Sequence, residues 1–154
     1  MTGSAGEVLI VGGGIGGLAA ALALAQGGVA SRVLEQASRF GEIGAGIQLG
    51  PNVFRMFDRL GLRDRVAEKA VFVDSLVMMD SLSGEEITRV PLRGAYRERF
   101  GNPYAVTHRA DMHGAMLDAC RQSPLVALEH SRRVAAIEDR GDRVQVTVED
   151  GATL

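Results

Sequence analysis

Residues 8–20 read Val-Leu-Ile-Val-Gly-Gly-Gly-Ile-Gly-Gly-Leu-Ala-Ala. The apolar run Val8–Val11 is bounded by glycine, which is typical of a parallel strand buried on both faces. The Ala- and Leu-rich segment that follows predicts a helix from about Ile15 to Gln26, because a pair of glycines then ends the helical pattern. A second short strand is predicted at Arg32–Leu34. Together these segments predict a βαβ unit with a right-handed crossover.

The turn between the first strand and the helix fits the pattern G-x-G-x-x-G, with Gly12, Gly14 and Gly17 at the three glycine positions. The first glycine permits a tight turn, the second lets a pyrophosphate approach the backbone, and the third lets helix and strand pack closely. Ile15 and Gly16 open the helix, whose free N–H groups and partial positive charge favour phosphate. The pattern therefore predicts phosphate binding at this turn.

An acidic residue, Glu35, follows the second predicted strand. It lies near the spacing of about 20 residues at which a carboxylate accepts hydrogen bonds from a ribose. A glycine-rich turn without a ligand is the alternative, but the strand, the helix and the acidic residue together favour a dinucleotide site. The carboxylate disfavours the 2′-phosphate of NADP, because like charges would meet. An adenine dinucleotide is therefore predicted here, as FAD or as NAD.

Composition argues against several classes of protein. The 154 residues carry a formal net charge of −2, so no overall basic field attracts nucleic acid. Cys120 is the single cysteine, which rules out an internal disulfide and fits a reducing cytoplasm. The uncharged run Val8–Ala25 is long enough to suggest a membrane span, but its five glycines would break such a helix. A soluble, cytoplasmic protein is expected, with Met1–Gly6 as a loose leader.

The rest of the chain mixes helices and strands. Helices are expected at Pro51–Leu60 and from an N-cap at Asp111 to about Arg121. Strands are expected at Ser75–Asp80, Glu85–Pro91, Tyr104–His108, Leu125–Glu129, Arg133–Glu138 and Arg143–Glu149. Of these, Leu125–Glu129 is predicted to be a third parallel strand. The expected fold class is α/β: an incomplete Rossmann-like βαβ domain with inserted antiparallel hairpins and a truncated β-meander.

Two further stretches carry a family resemblance. Arg39–Asn52 reads RFGEIGAGIQLGPN and Thr107–His113 reads THRADMH. With the glycine turn, they resemble the single-component, FAD-dependent aromatic hydroxylases, in particular the group of 3-hydroxybenzoate 6-hydroxylase and salicylate hydroxylase. Gly101–Tyr104, which reads GNPY, points to the 3-hydroxybenzoate branch. The resemblance runs from about Glu7 to the end of the chain, and it favours FAD over NAD.

The resemblance implies contacts to the adenosine half of FAD. Glu35 would hold the ribose, and Gln36 would lie beside the adenine. Val134 would touch the adenine through its backbone. The same resemblance makes residues 1–154 the N-terminal part of an FAD-binding domain.

Contacts to the flavin half are implied as well. The segment that contains Gly46, Ile47 and Gln48 would run past the flavin, with Gln48 facing the ribityl chain or the ring. Arg109 would reach ribityl or pyrophosphate oxygens, a role that suits its planar guanidinium. Two structural alternatives stay open: Arg109 as a surface residue paired with Asp111, and Gln48 as a solvated loop residue.

The remaining candidate side chains are assigned structural roles. None of the three histidines has the spacing of metal ligands, and His113 is expected on a helix surface. Cys120 lies among apolar helix positions and is expected in the core. Met78 and Met79 alternate along a predicted strand and are expected to pack.

The activity that the resemblance implies is hydroxylation of a small phenolic or other aromatic acid, with NADH or NADPH and O2 as co-substrates. The substrate-binding residues and a second flavin motif are expected beyond Leu154, so no catalytic residue is assigned and the chain alone is expected to be inactive. No metal, nucleic-acid or membrane partner is expected. Assembly into a homo-oligomer is an open alternative.

Two other functions remain open. The first is a non-catalytic dinucleotide-binding module whose partner chain covers an unpaired strand edge at Val144–Val148. The second is a different FAD-dependent oxidoreductase, such as an amine oxidase. A disulfide reductase is excluded, because it needs a redox pair of cysteines and this chain has one cysteine.

Overall fold

The computed structural model describes residues 6–41 and 44–154, which fall into two compact units. The first unit consists of Met1–Glu42 and His113–Leu154, and the second consists of Ile43–Met112. Residues 1–5 of the predicted leader and two residues of the predicted glycine-rich loop, 42 and 43, lie outside the described residues.

The described residues form ten strands and five helices. The strands are β1 (Val8–Val11), β2 (Ser31–Leu34), β3 (Gly46–Leu49), β4 (Val71–Phe72), β5 (Ser75–Met79), β6 (Glu86–Pro91), β7 (Ala105–His108), β8 (Val126–Glu129), β9 (Val134–Asp139) and β10 (Val144–Val148). The helices are α1 (Ile15–Gln26), α2 (Pro51–Leu60), α3 (Arg63–Ala67), α4 (Ala95–Phe100) and α5 (Arg109–Gln122).

A parallel sheet of three strands, in the order β1–β2–β8, organises the first unit. Ser31 of β2 lies opposite Val8 of β1 and opposite Val126 of β8. Helix α1 packs on this sheet and buries Leu18, while Cys120 of α5 is buried with its Sγ 3.6 Å from the Leu18 carbonyl oxygen. The predicted βαβ unit and the predicted third parallel strand are confirmed, as is the core position of Cys120.

Strand β1 is less buried than its apolar sequence predicts. Among the described residues, its only strand partner is β2, so β1 lies at an edge of the sheet. Val11 is 55% exposed and Val8 is 36% exposed. The prediction that this strand is buried on both faces is therefore wrong at its two ends. An apolar run predicts a strand, but it does not determine how many strands flank it.

The first unit also contains an antiparallel hairpin of β9 and β10. After β10 the chain returns along its outer side, where Thr153 forms a bridge with Thr147. Val146 and Leu154 exchange backbone hydrogen bonds of 2.9 and 2.8 Å, and the Val148 N–H donates to the Ala152 carbonyl at 3.0 Å. The prediction of an unpaired edge is therefore wrong for the second half of β10.

The second unit contains a three-stranded antiparallel sheet, β3–β7–β4, and a hairpin of β5 and β6. Helix α2 has the predicted bounds, with Pro51 in its first turn. Phe54 of this helix is fully buried, and its ring centroid lies 5.8 Å from the rings of both Phe57 and Phe72. These aromatic contacts connect α2 with β4. The strands β3 and β4 and the short helices α3 and α4 were not predicted.

Two predictions about the second unit are wrong. Helix α5 begins at Arg109, so Asp111 lies in its first turn rather than at the N-cap, and its carboxylate pairs with Lys69 at 3.0 Å. Met78 and Met79 are 60% and 52% exposed, so they do not pack in a core. Alternation along a strand places side chains on two faces, but it does not show that a second layer covers either face.

The uncharged run Val8–Ala25 is divided between β1, the glycine turn and α1. Across residues 6–41 and 44–154, no helix has both the length and the apolar character that a bilayer span requires.

Candidate functional site

The glycine turn between β1 and α1 is built from backbone constraints. Gly12 has φ +103°, a left-handed conformation that favours glycine, and its N–H donates to the Leu34 carbonyl of β2 at 2.8 Å. A Cβ at Gly17 would overlap the Gly12 carbonyl oxygen and lie 3.4 Å from the Ile10 side chain. Two of the glycines that the motif marks are thus required by the shape of the turn itself.

Helix α1 presents an uncapped N-terminus at this turn. Its N-cap, Gly14, is extended, with φ −75° and ψ −176°, and no side chain caps the helix. The helical hydrogen bonds begin with the Leu18 N–H, which donates to the Gly14 carbonyl at 3.0 Å. The preceding N–H groups, from Gly14 to Gly17, therefore have no acceptor within the helix. With no acidic residue in the first turn, the positive end of the helix dipole favours an anion here.

Glu35, at the end of β2, is hydrogen-bonded to the same turn. Its Oε2 accepts the Gly13 N–H at 2.7 Å, and its Oε1 accepts the Ala37 N–H at 2.8 Å. The Glu35 backbone is held in turn by β8, because its N–H donates to the Glu129 carbonyl at 2.8 Å. An ionised carboxylate offers about four acceptor positions, so capacity remains for hydroxyl donors such as those of a ribose.

A cavity of about 310 Å³ opens beside Glu35. Its lining residues are Val11, Gly12, Leu34, Glu35, Gln36, Arg132, Arg133 and Val134. The structure thus brings together four of the residues that the sequence assigns to adenosine and phosphate binding, although they come from three separate stretches of chain. A wider cavity of about 740 Å³ shares Gln36 and Arg133 and extends to Val148 and Asp150.

Sequence reasoning missed the two arginines of this cavity. Arg132 donates from Nε to Glu129 and from Nη1 to Asp150, both at 2.9 Å. Arg133 pairs with Glu149 at 3.2 Å. Their signal in the sequence is the Arg-Arg pair that directly precedes Val134, the first residue of β9. The pairing keeps their positive charge close to the cavity without leaving it uncompensated.

The predicted flavin-side residues belong to the second unit. Gly46, Ile47 and Gln48 lie in β3, which pairs with β7, and the exposed Gln48 accepts a hydrogen bond from the Tyr104 hydroxyl. Arg109, the first residue of α5, is exposed, and its backbone N–H donates to the Ala45 carbonyl at 3.0 Å. Their contacts with a cofactor stay predictions.

His113 contradicts its predicted place on a helix surface. It is 2% exposed, and its Nε2 lies 2.8 Å from the Gly13 carbonyl oxygen. Since a carbonyl can only accept, the imidazole carries a proton on Nε2 and donates it to the glycine turn. A signal was present in the sequence: His113 lies three and four residues before the buried Met116 and Leu117, and so on the apolar face of α5.

Neither metal binding nor nucleophilic chemistry by a cysteine is supported within the described part of the chain. No group of three or more His, Cys, Asp or Glu side chains there could hold a metal ion. Cys120 is fully buried, and burial raises the pKa of its thiol to about 11. The neutral thiol is a poor nucleophile, so this cysteine is a packing residue.

A parallel βαβ unit, a glycine turn before an uncapped helix, and an acidic residue at the end of the second strand define the class of nucleotide-binding α/β proteins. Within that class, the chain belongs to the FAD binding domain family, whose model matches residues 5–153. This match and the 3-hydroxybenzoate 6-hydroxylase relatives described next together confirm the resemblance inferred from Arg39–Asn52 and Thr107–His113.

Two curated relatives of the chain are 3-hydroxybenzoate 6-hydroxylases. The chain is 48% identical over 148 residues to 3-hydroxybenzoate 6-hydroxylase 1 of Aquipseudomonas alcaligenes, covering 96% of this chain and 38% of the relative. It is 50% identical over 143 residues to 3-hydroxybenzoate 6-hydroxylase of Polaromonas naphthalenivorans, covering 93% of this chain and 35% of the relative. The chain thus spans little more than a third of the length of these enzymes.

Solved structures show the same fold. HpxO of Klebsiella pneumoniae, in complex with FAD and uric acid, superposes with a TM-score of 0.82 at 32% identity, over 96% of this chain and 36% of that one. The tetrameric form of 2-methyl-3-hydroxypyridine-5-carboxylic acid oxygenase gives a TM-score of 0.84 at 25% identity, over 99% of this chain and 38% of that one. The mixed α/β arrangement is therefore that of FAD-dependent monooxygenases.

Proposed function

We propose that this chain is the N-terminal, FAD-binding portion of a flavoprotein monooxygenase that hydroxylates a small phenolic or other aromatic acid, with NADH or NADPH and O2. The carrying observation is the position of Glu35, which directly follows β2, accepts a hydrogen bond from the glycine turn and lines the 310 Å³ cavity. Family membership and the 3-hydroxybenzoate 6-hydroxylase relatives support the choice of reaction. In this proposal, residues 1–154 are the first part of a Rossmann-like domain.

The adenosine half of FAD would occupy the cavity beside Glu35. The carboxylate would accept hydrogen bonds from the ribose hydroxyls, using the acceptor positions that Gly13 and Ala37 leave. Gln36 and Val134 line the same cavity. In this proposal, Gln36 and the backbone of Val134 would lie against the adenine. The chain would therefore supply the Glu35 carboxylate for the ribose, and Gln36 and Val134 for the base.

The pyrophosphate would lie at the N-terminus of α1. The backbone N–H groups of Gly14, Ile15, Gly16 and Gly17 are the donors that the helix leaves without acceptors. The absence of side chains at three of these positions lets phosphate oxygens approach the backbone closely. This contact would contribute binding energy without requiring a charged side chain in the turn.

The flavin half would be bound by the second unit. We propose that Gly46, Ile47 and Gln48 line the path of the ribityl chain and that Arg109 binds ribityl or pyrophosphate oxygens. Bound FAD would supply the redox chemistry, as acceptor of a hydride and as the group that reacts with O2. The described residues bind and orient this cofactor, and we expect the 154 residues alone to show no turnover.

Retention of flavin tests the proposal. The purified chain is incubated with excess FAD, desalted, and its visible absorption spectrum recorded. Flavin bands are expected to remain with the wild type and to be lost in Gly14→Val, which fills the phosphate approach, and in Glu35→Ala, which removes the ribose acceptor. Glu138→Ala is the matched control, because Glu138 lies on the exposed strand β9 and pairs with Arg140.

Three results would contradict the proposed site. A colourless wild-type chain that also fails to bind FAD in a fluorescence titration would refute FAD binding by these residues. A colourless chain that instead binds NADH would assign the site to NAD. Equal flavin retention by the wild type, Glu35→Ala and Gly14→Val would place the cofactor elsewhere on the chain.

Assembly and location stay predictions. A homo-oligomer finds support in the tetrameric form of the oxygenase with the same fold, and light scattering on the purified chain would measure it. A partner chain on β10 is less favoured than the sequence suggests, because residues 152–154 already cover part of that edge.

A further inference from the structure

We infer that His113 is a positioning residue for the phosphate-binding turn: it holds the Gly13–Gly14 peptide in the orientation that aims the Gly14 N–H at the pyrophosphate of FAD. The inference rests on the proposed function, because the pyrophosphate site is part of that proposal. It gives a role to the buried polar side chain of His113, which makes none of the proposed contacts with the cofactor.

The turn is held from two sides at one residue. Glu35 accepts the Gly13 N–H at 2.7 Å, and His113 donates from Nε2 to the Gly13 carbonyl at 2.8 Å. These two contacts bring β2 and α5 to the same glycine. The ring of Phe40 lies over the Cα of Gly13, where an added Cβ would overlap it. Gly13 therefore has its N–H, its carbonyl and its Cα each in contact with a different side chain.

Peptide geometry links the His113 contact to phosphate binding. A trans peptide is planar, so the carbonyl of Gly13 and the N–H of Gly14 point in opposite directions. Holding that carbonyl toward His113 therefore directs the Gly14 N–H away from the histidine. Gly14 is the N-cap of α1, and its N–H is the first of the donors that the helix leaves without acceptors.

A side-chain contact is needed because the turn has little preference of its own. Gly12, Gly13 and Gly14 follow one another, and glycine backbones adopt many conformations at similar energy. A flip of the Gly13–Gly14 peptide would exchange the directions of the Gly13 carbonyl and the Gly14 N–H. The Gly13 carbonyl oxygen would then face the place where a phosphate oxygen would lie. The bond from His113 opposes this flip, since the flip would leave a buried imidazole N–H without an acceptor.

Two substitutions and two ligands test the inference. His113→Leu removes the donor and keeps a similar volume, whereas His113→Gln keeps an amide N–H that can reach the same carbonyl. ADP contains the pyrophosphate, and adenosine contains only the ribose and base that Glu35 and its cavity would bind. Dissociation constants for ADP, adenosine and FAD are measured by calorimetry, with thermal unfolding as the check on folding.

The expected result is selective for the pyrophosphate. His113→Leu weakens ADP and FAD binding by about tenfold, the effect of losing one well-oriented hydrogen bond to a charged group. Adenosine affinity changes less than about twofold, and His113→Gln recovers most of the lost ADP affinity. If His113→Leu does not fold, ¹⁵N NMR of the wild type replaces it, with a protonated Nε2 and a Gly14 amide resonance that shifts with ADP but not with adenosine.

Other outcomes overturn the inference and are distinct from failure of the proposed function. Equal weakening of ADP and adenosine in His113→Leu would reduce the histidine to a general structural role. Unchanged ADP affinity in a folded His113→Leu chain, or no recovery in His113→Gln, would refute the positioning role while leaving the FAD site intact. Failure of the wild type to bind either FAD or ADP would refute both.

Discussion

The Cα of Gly17 packs so closely against the Gly12 carbonyl that a Cβ at position 17 would overlap its oxygen. This contact sets how near helix α1 begins to the end of β1, and thereby where the free N–H groups of the helix lie relative to Glu35. Gly16, one residue earlier in the same helix, has open space around its Cα. Adjacent glycines in one motif thus have different structural requirements.

Gly17→Ala is therefore expected to destabilise the chain by about 2 kcal/mol or more, because overlap with backbone cannot be relieved by a side-chain rotation. Gly16→Ala is the matched control and is expected to leave the free energy of unfolding unchanged or to raise it by about 0.5 kcal/mol, since alanine favours the helix. Urea denaturation followed by circular dichroism measures both. Equal stability of the two variants would contradict the close approach at Gly17.

The carboxylate of Glu35 is expected to determine affinity for the ribose. Glu35→Gln keeps the size of the side chain but removes its charge. It also replaces one acceptor oxygen by an NH2 group, which would face a backbone N–H donor, that of Gly13 or Ala37. We expect adenosine and ADP to bind about tenfold more weakly. Glu138→Gln makes the same chemical change on the exposed strand β9 and is expected to leave both affinities unchanged. Calorimetric titrations with adenosine and with ADP measure the difference.

Stability should fall in alkaline solution because of Cys120. Burial raises the pKa of this thiol from 9.0 to about 11, so the folded state retains a proton that the unfolded state loses first. The contribution of the protonated Cys120 thiol to the free energy of unfolding is fully present below pH 9 and is lost as the pH rises through about 11. The total loss is on the order of 2 kcal/mol. Cys120→Ala removes the titrating group, so its free energy of unfolding should decline less between pH 9 and 11. Parallel slopes for wild type and variant would contradict this.

Arg32 is expected to stabilise the first unit by joining the segment before β1 to β8. Its guanidinium contacts Glu7 at 3.0 Å and Glu129 at 2.8 Å, and hydrogen bonding to Glu7, followed by the charges of both carboxylates, raises the pKa of Arg32. Arg32→Leu should cost about 1 kcal/mol, a modest value because solvent partly screens the pair. Arg143→Leu is the control, since Arg143 and its partner Asp142 are largely exposed, and its melting temperature should match the wild type.

Local sequence patterns were sufficient for several elements. The bounds of β1, α1 and α2 agree with those predicted, because glycine and proline mark their ends. The hairpins were located by alternation and by turn residues in the same way. Each of these signals depends on residues close together in the chain, which is why it can be recognised without a structure.

Contacts between distant residues decided the rest. Strand β3 lies in a glycine-rich stretch and is a strand because it pairs with β7, nearly sixty residues later. The exposure of Met78 and Val11 likewise depends on which elements cover a strand, and no local pattern contains that information.

The candidate site divides in the same way. Sequence by itself determined the βαβ unit, the glycine turn and the acidic residue after β2, because their spacing follows from the geometry of one local motif. Only the tertiary structure decided that His113 is buried against Gly13 and that Val134 and Arg132 line the cavity beside Glu35. His113 of α5 and Arg132 of the connection after β8 reach this site through the packing of the first unit, which depends on contacts between distant residues rather than on neighbours in sequence.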